Sequence, residues 1–130
     1  MSERNLLVAL SNSLPDRDDE FNAWYTDVHI VDITHKLTAY ESGQRFENIE
    51  AEGAAAFPYR YLALYEITEG ALDAAREEFA WQRQERADAE ANGREAVVPF
   101  SEALDRSRLI VGFFSSISAQ VIAPGVNMTS

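Results

Sequence analysis

Apolar and polar positions along the chain predict four strands and two helices. A continuous apolar run predicts a buried strand at residues 5–11, and period-two alternation predicts strands at residues 36–50, 59–68 and 108–120. Apolar residues at helical spacing predict one helix that ends near residue 34 and a second that stops at Asn92-Gly93. In the clearest strand, Tyr61 and Tyr65 share one face, whereas Leu62 and Leu64 share the other.

Further expectations concern the second strand and the second half of the chain. In the second strand Tyr40, Ser42 and Gln44 are expected to point the same way, and Gly43 is expected to mark a bulge or bend. The charged residues 77–95 predict a solvated helix surface, and residues 100–104 are expected to form a short helical piece.

The order strand, helix, strand, strand, helix, strand is typical of a ferredoxin-like α+β subunit. Such a subunit has an antiparallel four-stranded sheet with both helices on one face. The other face would then be bare, and tyrosine and phenylalanine residues fall on both sides of these strands. A bare apolar face is a typical association surface, and a second copy related by a two-fold axis would cover it. We therefore expect a homodimer.

Length and composition narrow the class of protein. Residues 1–130 are expected to form a single domain, with an irregular tail at residues 120–130. Acidic residues outnumber basic ones 22 to 11, which argues against nucleic acid or an anionic membrane as partner. The absence of cysteine excludes disulfides, thiolate zinc sites and cysteine nucleophiles. The N-terminal apolar run is too short for a signal peptide or a membrane span, so a cytoplasmic protein is expected.

The most informative residue is His29, which lies in the first predicted helix. At helical spacing Phe21, Trp24, Tyr25 and Val28 share one apolar face, and His29 falls at its edge. An imidazole among large apolar groups is a candidate proton carrier. The structural alternative is a buried histidine whose ring is satisfied by a backbone carbonyl.

Two nearby residues are candidates to assist His29. Asp32 follows it by three residues and could orient the imidazole across a helical turn, or else be a solvated carboxylate at the helix end. Tyr40 begins the second strand, where its phenol could stabilise a developing oxyanion, or simply pack in the sheet. The spacing of His29 and His35 does not place them on one helix face, so no metal site is expected.

Aromatic and basic residues are candidates for substrate binding. Large rings form binding surfaces, although they form protein cores even more often. Arg45 could hold a substrate carboxylate through a bidentate contact, as could Arg60, or either could pair with a glutamate across the strands. The aromatic candidates are Trp24, Tyr25, Tyr61 and Tyr65.

Three segments of the chain resemble one family. They are Phe21-Asn-Ala-Trp24-Tyr25-x-x-x-His29-Ile-x-Asp32, then Gln44-Arg45-Phe46, then Tyr61-Leu-Ala-Leu-Tyr65-Glu66-Ile67. Together they resemble the EthD-like branch of the dimeric α/β-barrel superfamily over residues 5–70. The resemblance implies ferredoxin-like subunits whose two sheets form a barrel in the dimer, with a cavity between helices and sheet in each subunit. It also implies proton transfer by a histidine on the first helix, the position of His29.

These observations lead to one functional expectation and two alternatives. We expect a cofactor-independent lyase or isomerase that dehydrates, cyclises or moves a double bond in a small aromatic or lactone-like carbonyl compound. His29 would move the proton, and Tyr40 or a strand tyrosine would hold the oxygen. The alternatives are a dimer that binds a small hydrophobic molecule without catalysis, and a haem-linked or cofactor-free monooxygenase of the same superfamily.

Overall fold

Four antiparallel strands form one sheet, and helical segments pack against one of its faces. The computed structural model describes residues 3–50 and 57–126. The elements in chain order are β1 (Asn5–Ser11), α1 (Asp18–Trp24), a π-helical turn (Tyr25–His29), α2 (Ile30–Lys36), β2 (Tyr40–Glu47), β3 (Tyr61–Ile67), α3 (Leu72–Ala91), a 3-10 turn (Arg106–Arg108) and β4 (Ile110–Ser115). The sheet order is β2-β3-β1-β4, and every neighbouring pair is antiparallel. This α+β arrangement confirms the predicted sheet and is compatible with a ferredoxin-like fold.

The first helix is continuous from α1 to α2 but contains one π-helical turn. Four of its buried residues recur at every fourth position: Phe21, Tyr25, His29 and Ile33. In a regular α-helix a four-residue step overshoots a full turn by about 40°, so this row would drift around the helix. The extra residue in the π turn cancels the drift and keeps the four side chains on one face. Val28, predicted on that face, is 43% exposed, so its predicted position was wrong.

The face of the sheet under the helices forms most of the core. In β3 the side chains of Tyr61, Ala63, Tyr65 and Ile67 are buried on this face, as the alternation predicted. Leu7 and Ala9 of the neighbouring β1 are buried on the same face.

The second strand differs from its prediction. It begins at Tyr40 rather than at residue 36, and a register shift lies between Tyr40 and Ser42. This β-bulge places Tyr40 under the helices, where its ring lies 5.8 Å from that of Tyr65. The prediction that Tyr40, Ser42 and Gln44 point the same way was therefore wrong at Tyr40.

Gly43 allows the first helix to lie close to β2. A Cβ atom at Gly43 would be 2.9 Å from Cγ1 of Ile30 and 2.9 Å from Cδ1 of Tyr65. Both distances are shorter than real carbon contacts, so any larger residue would push the helix or the tyrosine away. The predicted bend at Gly43 is instead a site of close packing.

The remaining boundaries are close to the predicted ones, with two exceptions. The long helix ends at Ala91, and Gly93 follows with a φ of 67°. The short helix predicted at residues 100–104 is absent, and Leu104 instead forms a β-bridge with Ser13. The last strand stops at Ser115, and residues 120–126 are irregular, while residues 127–130 of the predicted tail lie outside the described residues.

The outer face of the sheet is apolar and uncovered by any described element. In the register of the strands, Leu10 lies between Leu62 and Ile110, and Val8 lies between Leu64 and Gly112. Ile110 and the nearby Phe114 are more than half exposed. Within the described ranges, no helix is both long enough and apolar enough to cross a membrane.

Candidate functional site

A cavity of about 380 Å³ lies between the sheet and the helices. The first helix contributes an aromatic wall and His29, and the sheet contributes small and aliphatic side chains together with Tyr65. The opposite wall comes from α3 and the segment that precedes β4. Fourteen of the lining positions fall into these groups: Trp24, Tyr25, His29 and Ile33 on the first helix; Leu7, Ala9, Tyr65 and Val111 on the sheet; Phe79, Gln82, Arg83 and Arg86 on α3; Phe100 and Leu104 before β4.

The imidazole of His29 is enclosed by rings. Its centroid lies 4.7 Å from the ring of Trp24, 4.9 Å from that of Tyr25 and 5.8 Å from that of Phe100. The residue is 7% exposed, and its Nδ1 atom is buried without a hydrogen-bond partner among the described residues. The structural alternative, in which a backbone carbonyl accepts a hydrogen bond from the buried ring, therefore does not apply to Nδ1 of His29.

This environment keeps His29 neutral. Burial is the main cause that lowers the pKa of the imidazole to about 3, and the positive charges of Arg86 and Arg45 contribute to the same shift. A neutral imidazole has one nitrogen that can accept a proton and one that can donate a hydrogen bond. It becomes an effective base only when a negative charge develops beside it, since that charge would stabilise the imidazolium.

Two phenols line the cavity with His29. Burial raises the pKa of Tyr25, and it raises the pKa of Tyr65 well above its usual value. Both groups therefore stay protonated and can donate hydrogen bonds. The Tyr65 hydroxyl is buried near that of Tyr25, and this neighbour also raises its pKa. No described residue meets the distance and angle of a hydrogen bond with the Tyr65 hydroxyl, so it can donate to a ligand oxygen.

Tyr40, predicted to act with His29, is not among the residues that line the cavity. Its hydroxyl is buried without a partner in the described part of the chain, and its ring packs against that of Tyr65. Burial and the charge of Glu78 raise the pKa of Tyr40, so this phenol also stays protonated.

Tyr61 is held in a polar network beside α1 and likewise does not line the cavity. Its hydroxyl donates to Oδ2 of Asp18 at 3.1 Å and accepts from Nδ2 of Asn22 at 3.2 Å. The same carboxylate accepts from Arg60 at 2.5 Å and from the Ser13 hydroxyl. These hydrogen bonds hold the pKa of Asp18 below its usual value, and the one from Ser13 contributes most. Arg60 therefore has a carboxylate partner within the chain.

Arg45 on β2 packs against the first helix and does not line the cavity. Its guanidinium lies 4.6 Å from the ring centroid of Tyr25 and 5.3 Å from that of Tyr61. Nη1 donates to Oγ1 of Thr26 at 2.9 Å, and Nη2 donates to Oδ1 of Asn22 at 2.9 Å. These contacts fix the strand to the helix around the π turn, where the regular hydrogen-bond ladder is interrupted.

Asp32 pairs with a lysine and makes no hydrogen bond to His29 within the described chain. Its Oδ1 atom lies 3.3 Å from Nζ of Lys36, one turn along the helix. The second histidine, His35, is exposed, and its Nδ1 atom lies 3.0 Å from the Val31 carbonyl. No three His, Asp or Glu side chains among the described residues are grouped so that they could hold a metal ion.

The polar wall on α3 differs from the sequence-based expectation. The charged residues 77–95 predict a solvated helix surface, but Gln82 is only 6% exposed and Arg86 is half-buried against Phe100. A signal was present, because Ala75, Phe79, Gln82 and Arg86 recur at spacings of four, three and four. The two polar residues interrupt the apolar stripe that would otherwise mark this face.

Comparison of the chain with protein-family models, with curated proteins and with solved structures finds no match to any of them.

Proposed function

We propose that the protein is a cofactor-independent lyase or isomerase that acts on a small aromatic or lactone-like carbonyl compound. One observation carries the proposal: a neutral histidine with an unpartnered Nδ1 atom faces a cavity enclosed by aromatic rings. Buried groups of this kind are concentrated at functional sites, because a protein core normally satisfies its polar atoms.

The proposed reaction begins with proton transfer to His29. The imidazole removes a proton from the carbon next to the substrate carbonyl, and the electron pair of that C–H bond moves onto the carbonyl oxygen. Tyr65 donates a hydrogen bond to the resulting enolate oxygen. His29 then returns the proton to another carbon, which moves the double bond, or to a departing hydroxyl, which leaves as water. Tyr65 takes this role rather than Tyr40 because it lines the cavity.

The test is proton exchange on model carbonyl compounds. Wild-type protein in D₂O is expected to exchange the acidic C–H of 2-tetralone or to isomerise α-angelica lactone, both followed by NMR. His29→Ala is expected to lower the rate by about 10²–10⁴-fold, the usual contribution of a general acid or base. His35→Ala, which changes the exposed histidine, is the matched control and should retain the wild-type rate. A His29→Ala variant that keeps near-full turnover would eliminate this mechanism.

A second candidate is a module that binds a small hydrophobic molecule without turning it over. The low pKa of His29 favours it, since an imidazole with a pKa of about 3 is a weak base. Tight binding of 2-tetralone with no exchange, on it or on a wider panel of carbonyl compounds, would support this candidate against the enzyme.

The proposal includes a homodimer built from ferredoxin-like subunits, with the two outer sheet faces packed into a barrel. The resemblance to the EthD-like proteins and the strand order of the sheet support this arrangement. The uncovered leucines and valine at the centre of the outer face supply its apolar contact surface. A two-fold axis would make this surface self-complementary.

Val8→Glu tests the dimer. It places a charge in the middle of the outer face, and a buried, unpaired carboxylate would oppose association strongly. Light scattering coupled to size exclusion is expected to show dimeric wild type and a monomeric variant. Val31→Glu introduces the same charge on the exposed side of α2 and should remain dimeric. A monomeric wild type would rule the dimer out.

A further inference from the structure

The α3 side of the cavity carries polar groups with hydrogen-bond donors and acceptors that have no partner among the described residues. Gln82 is 6% exposed and lines the cavity, yet its side-chain amide forms no hydrogen bond with another described residue. An amide in this position offers one acceptor and two donor hydrogens to a bound molecule. Arg83 and Arg86 lie on the same wall, so it is also positively charged.

Arg86 is fixed in place without using all of its donors. Its guanidinium carbon lies 3.6 Å from the ring centroid of Phe100. Nε and Nη2 donate to the Val98 carbonyl at 3.4 and 3.2 Å, which holds the planar group in one orientation. The remaining N–H groups have no acceptor among the described residues. His29 packs against the same Phe100 ring, so the cation and the imidazole belong to one site.

The carboxylates close to Arg86 on α3 are already paired with other arginines. Glu85 is bound by Arg94 at 2.6 Å, and Glu90 is bound by Arg106 at 2.8 Å. Within the described chain no carboxylate pairs directly with Arg86. A half-buried cation without a direct partner is costly to fold, and it is more unusual in a chain with a net charge of -11.

We infer that the cavity binds an organic anion, a small aromatic or conjugated carboxylic acid, with its carboxylate on Arg86 and Gln82. The planar guanidinium matches the two oxygens of a carboxylate, and the amide of Gln82 can add a further hydrogen bond. The apolar body of the ligand then faces Trp24 and His29. The inference rests on the proposed function for the placement of the reacting carbon beside His29. It makes Arg86 the residue that determines specificity for acids.

The two arginines considered from sequence do not compete for this role. Arg60 is paired with Asp18 and with Glu47, and it does not line the cavity. Arg45 donates to Asn22 and Thr26 under the first helix. The acid-binding group therefore comes from α3, whose charged sequence predicts a solvated surface.

The experiment compares the binding of 2-naphthoate with that of its neutral analogue 2-naphthamide, by isothermal titration calorimetry. Wild type is expected to bind the acid at least about tenfold more tightly, since hydrogen bonds between two charged groups are stronger than those to a neutral amide. Arg86→Met should reduce the acid affinity to that of the amide while changing the amide affinity by about twofold at most. A purely structural role for Arg86 would weaken both ligands together and leave their ratio unchanged.

Arg76→Met is the matched control, because Arg76 lies on the exposed side of the same helix. It should keep the wild-type preference for the acid. If Arg86→Met does not fold, Arg86→Gln retains a donor for the Val98 carbonyl and is judged by the same ratio. Equal affinities of wild type for acid and amide, or an undiminished preference in the Arg86 variant, would overturn the inference.

The proposed reaction can fail separately from this inference. His29→Ala should keep the preference for 2-naphthoate, since the carboxylate contacts lie on α3. A wild-type protein that prefers the acid but exchanges no protons would retain the anion site and lose the enzymatic proposal. Proton exchange without any preference for the acid would retain the enzymatic proposal and overturn the anion site.

Discussion

The two helical layers pack on the same sheet in different ways. The first helix lies close to the strands, with Gly43 opening space for Ile30 and with Phe21 and Tyr25 fully enclosed. Helix α3 stands farther from the sheet, and its buried positions are small or polar: Ala75, Gln82 and Ala89. One helix therefore builds the core, whereas the other leaves a space and supplies polar groups to it. The cavity therefore exists because the side chains of α3 do not fill the space between this helix and the sheet.

The sharpest test of this contrast makes the same truncation on each helix. Phe21 is completely buried and touches the rings of Trp24, Tyr25 and Tyr61, so Phe21→Ala should cost about 3–5 kcal/mol of unfolding free energy. Phe79 on α3 is half-buried and already borders the cavity, so Phe79→Ala should cost less than half as much. Urea denaturation of both variants measures the two values. Equal losses would show that α3 is packed as tightly as the first helix.

The close approach of the first helix can be tested at Gly43. Gly43→Ala forces a methyl group against Ile30 and Tyr65 and should destabilise the protein by about 1–3 kcal/mol. Gly112→Ala is the control on the outer face, where the added carbon would meet the Phe114 ring at 3.3 Å, a contact that the side chain can relieve by turning. Thermal melting should separate the two variants. A harmless Gly43→Ala would contradict the close packing described for this helix.

A smaller expected effect is the contribution of the buried His29 to the pH dependence of stability. The pKa of His29 is about 3 in the folded chain and 6.5 in the unfolded one. Its contribution to stability is complete above pH 6.5, and it is lost as the pH falls toward 3 because only the unfolded chain takes up the proton. The slope in that window should be about 1.4 kcal/mol per pH unit steeper in wild type than in His29→Gln.

Denaturation curves of the two proteins at pH 5, 6 and 7 measure this difference. Asp18 and Glu66, whose pKa values are lowered by their hydrogen-bond partners, also lose stabilising contacts in acid. They do so equally in both proteins, so the difference isolates His29. Parallel curves would mean that the imidazole is solvated and protonates freely in the folded state.

Sequence patterns predicted the layers of the fold better than the local irregularities. The faces of β3 and the limits of β1 follow directly from residue alternation, which is a property of the strand backbone. The bulge beside Glu41 has no comparable signal, and it reversed the predicted direction of Tyr40. The π turn does have a sequence signal, because apolar or aromatic residues recur at positions 21, 25, 29 and 33. A regular α-helix cannot keep residues with this four-residue repeat on one face.

The candidate site was predicted from one side only. Trp24, Tyr25, His29 and Tyr65 line the cavity, and their aromatic character drew attention to them. Arg45, Asp32 and Tyr61 find partners elsewhere in the chain, and pairing of this kind depends on distances between elements that no local pattern contains. Gln82 and Arg86 continue the helical spacing of Ala75 and Phe79, but their polarity conceals this signal because polar residues on a long helix are usually solvated.

The π turn also determines where this helix can change its length. Thr26, Asp27 and Val28 are exposed, and loss of one of them would convert the turn to regular α-helix with both flanking segments still seated on the sheet. Removal of a residue anywhere else in the helix would swing one flank by about 100° and bring charged side chains into the core. Single-residue insertions and deletions among homologous chains should therefore cluster in this turn, immediately before the histidine.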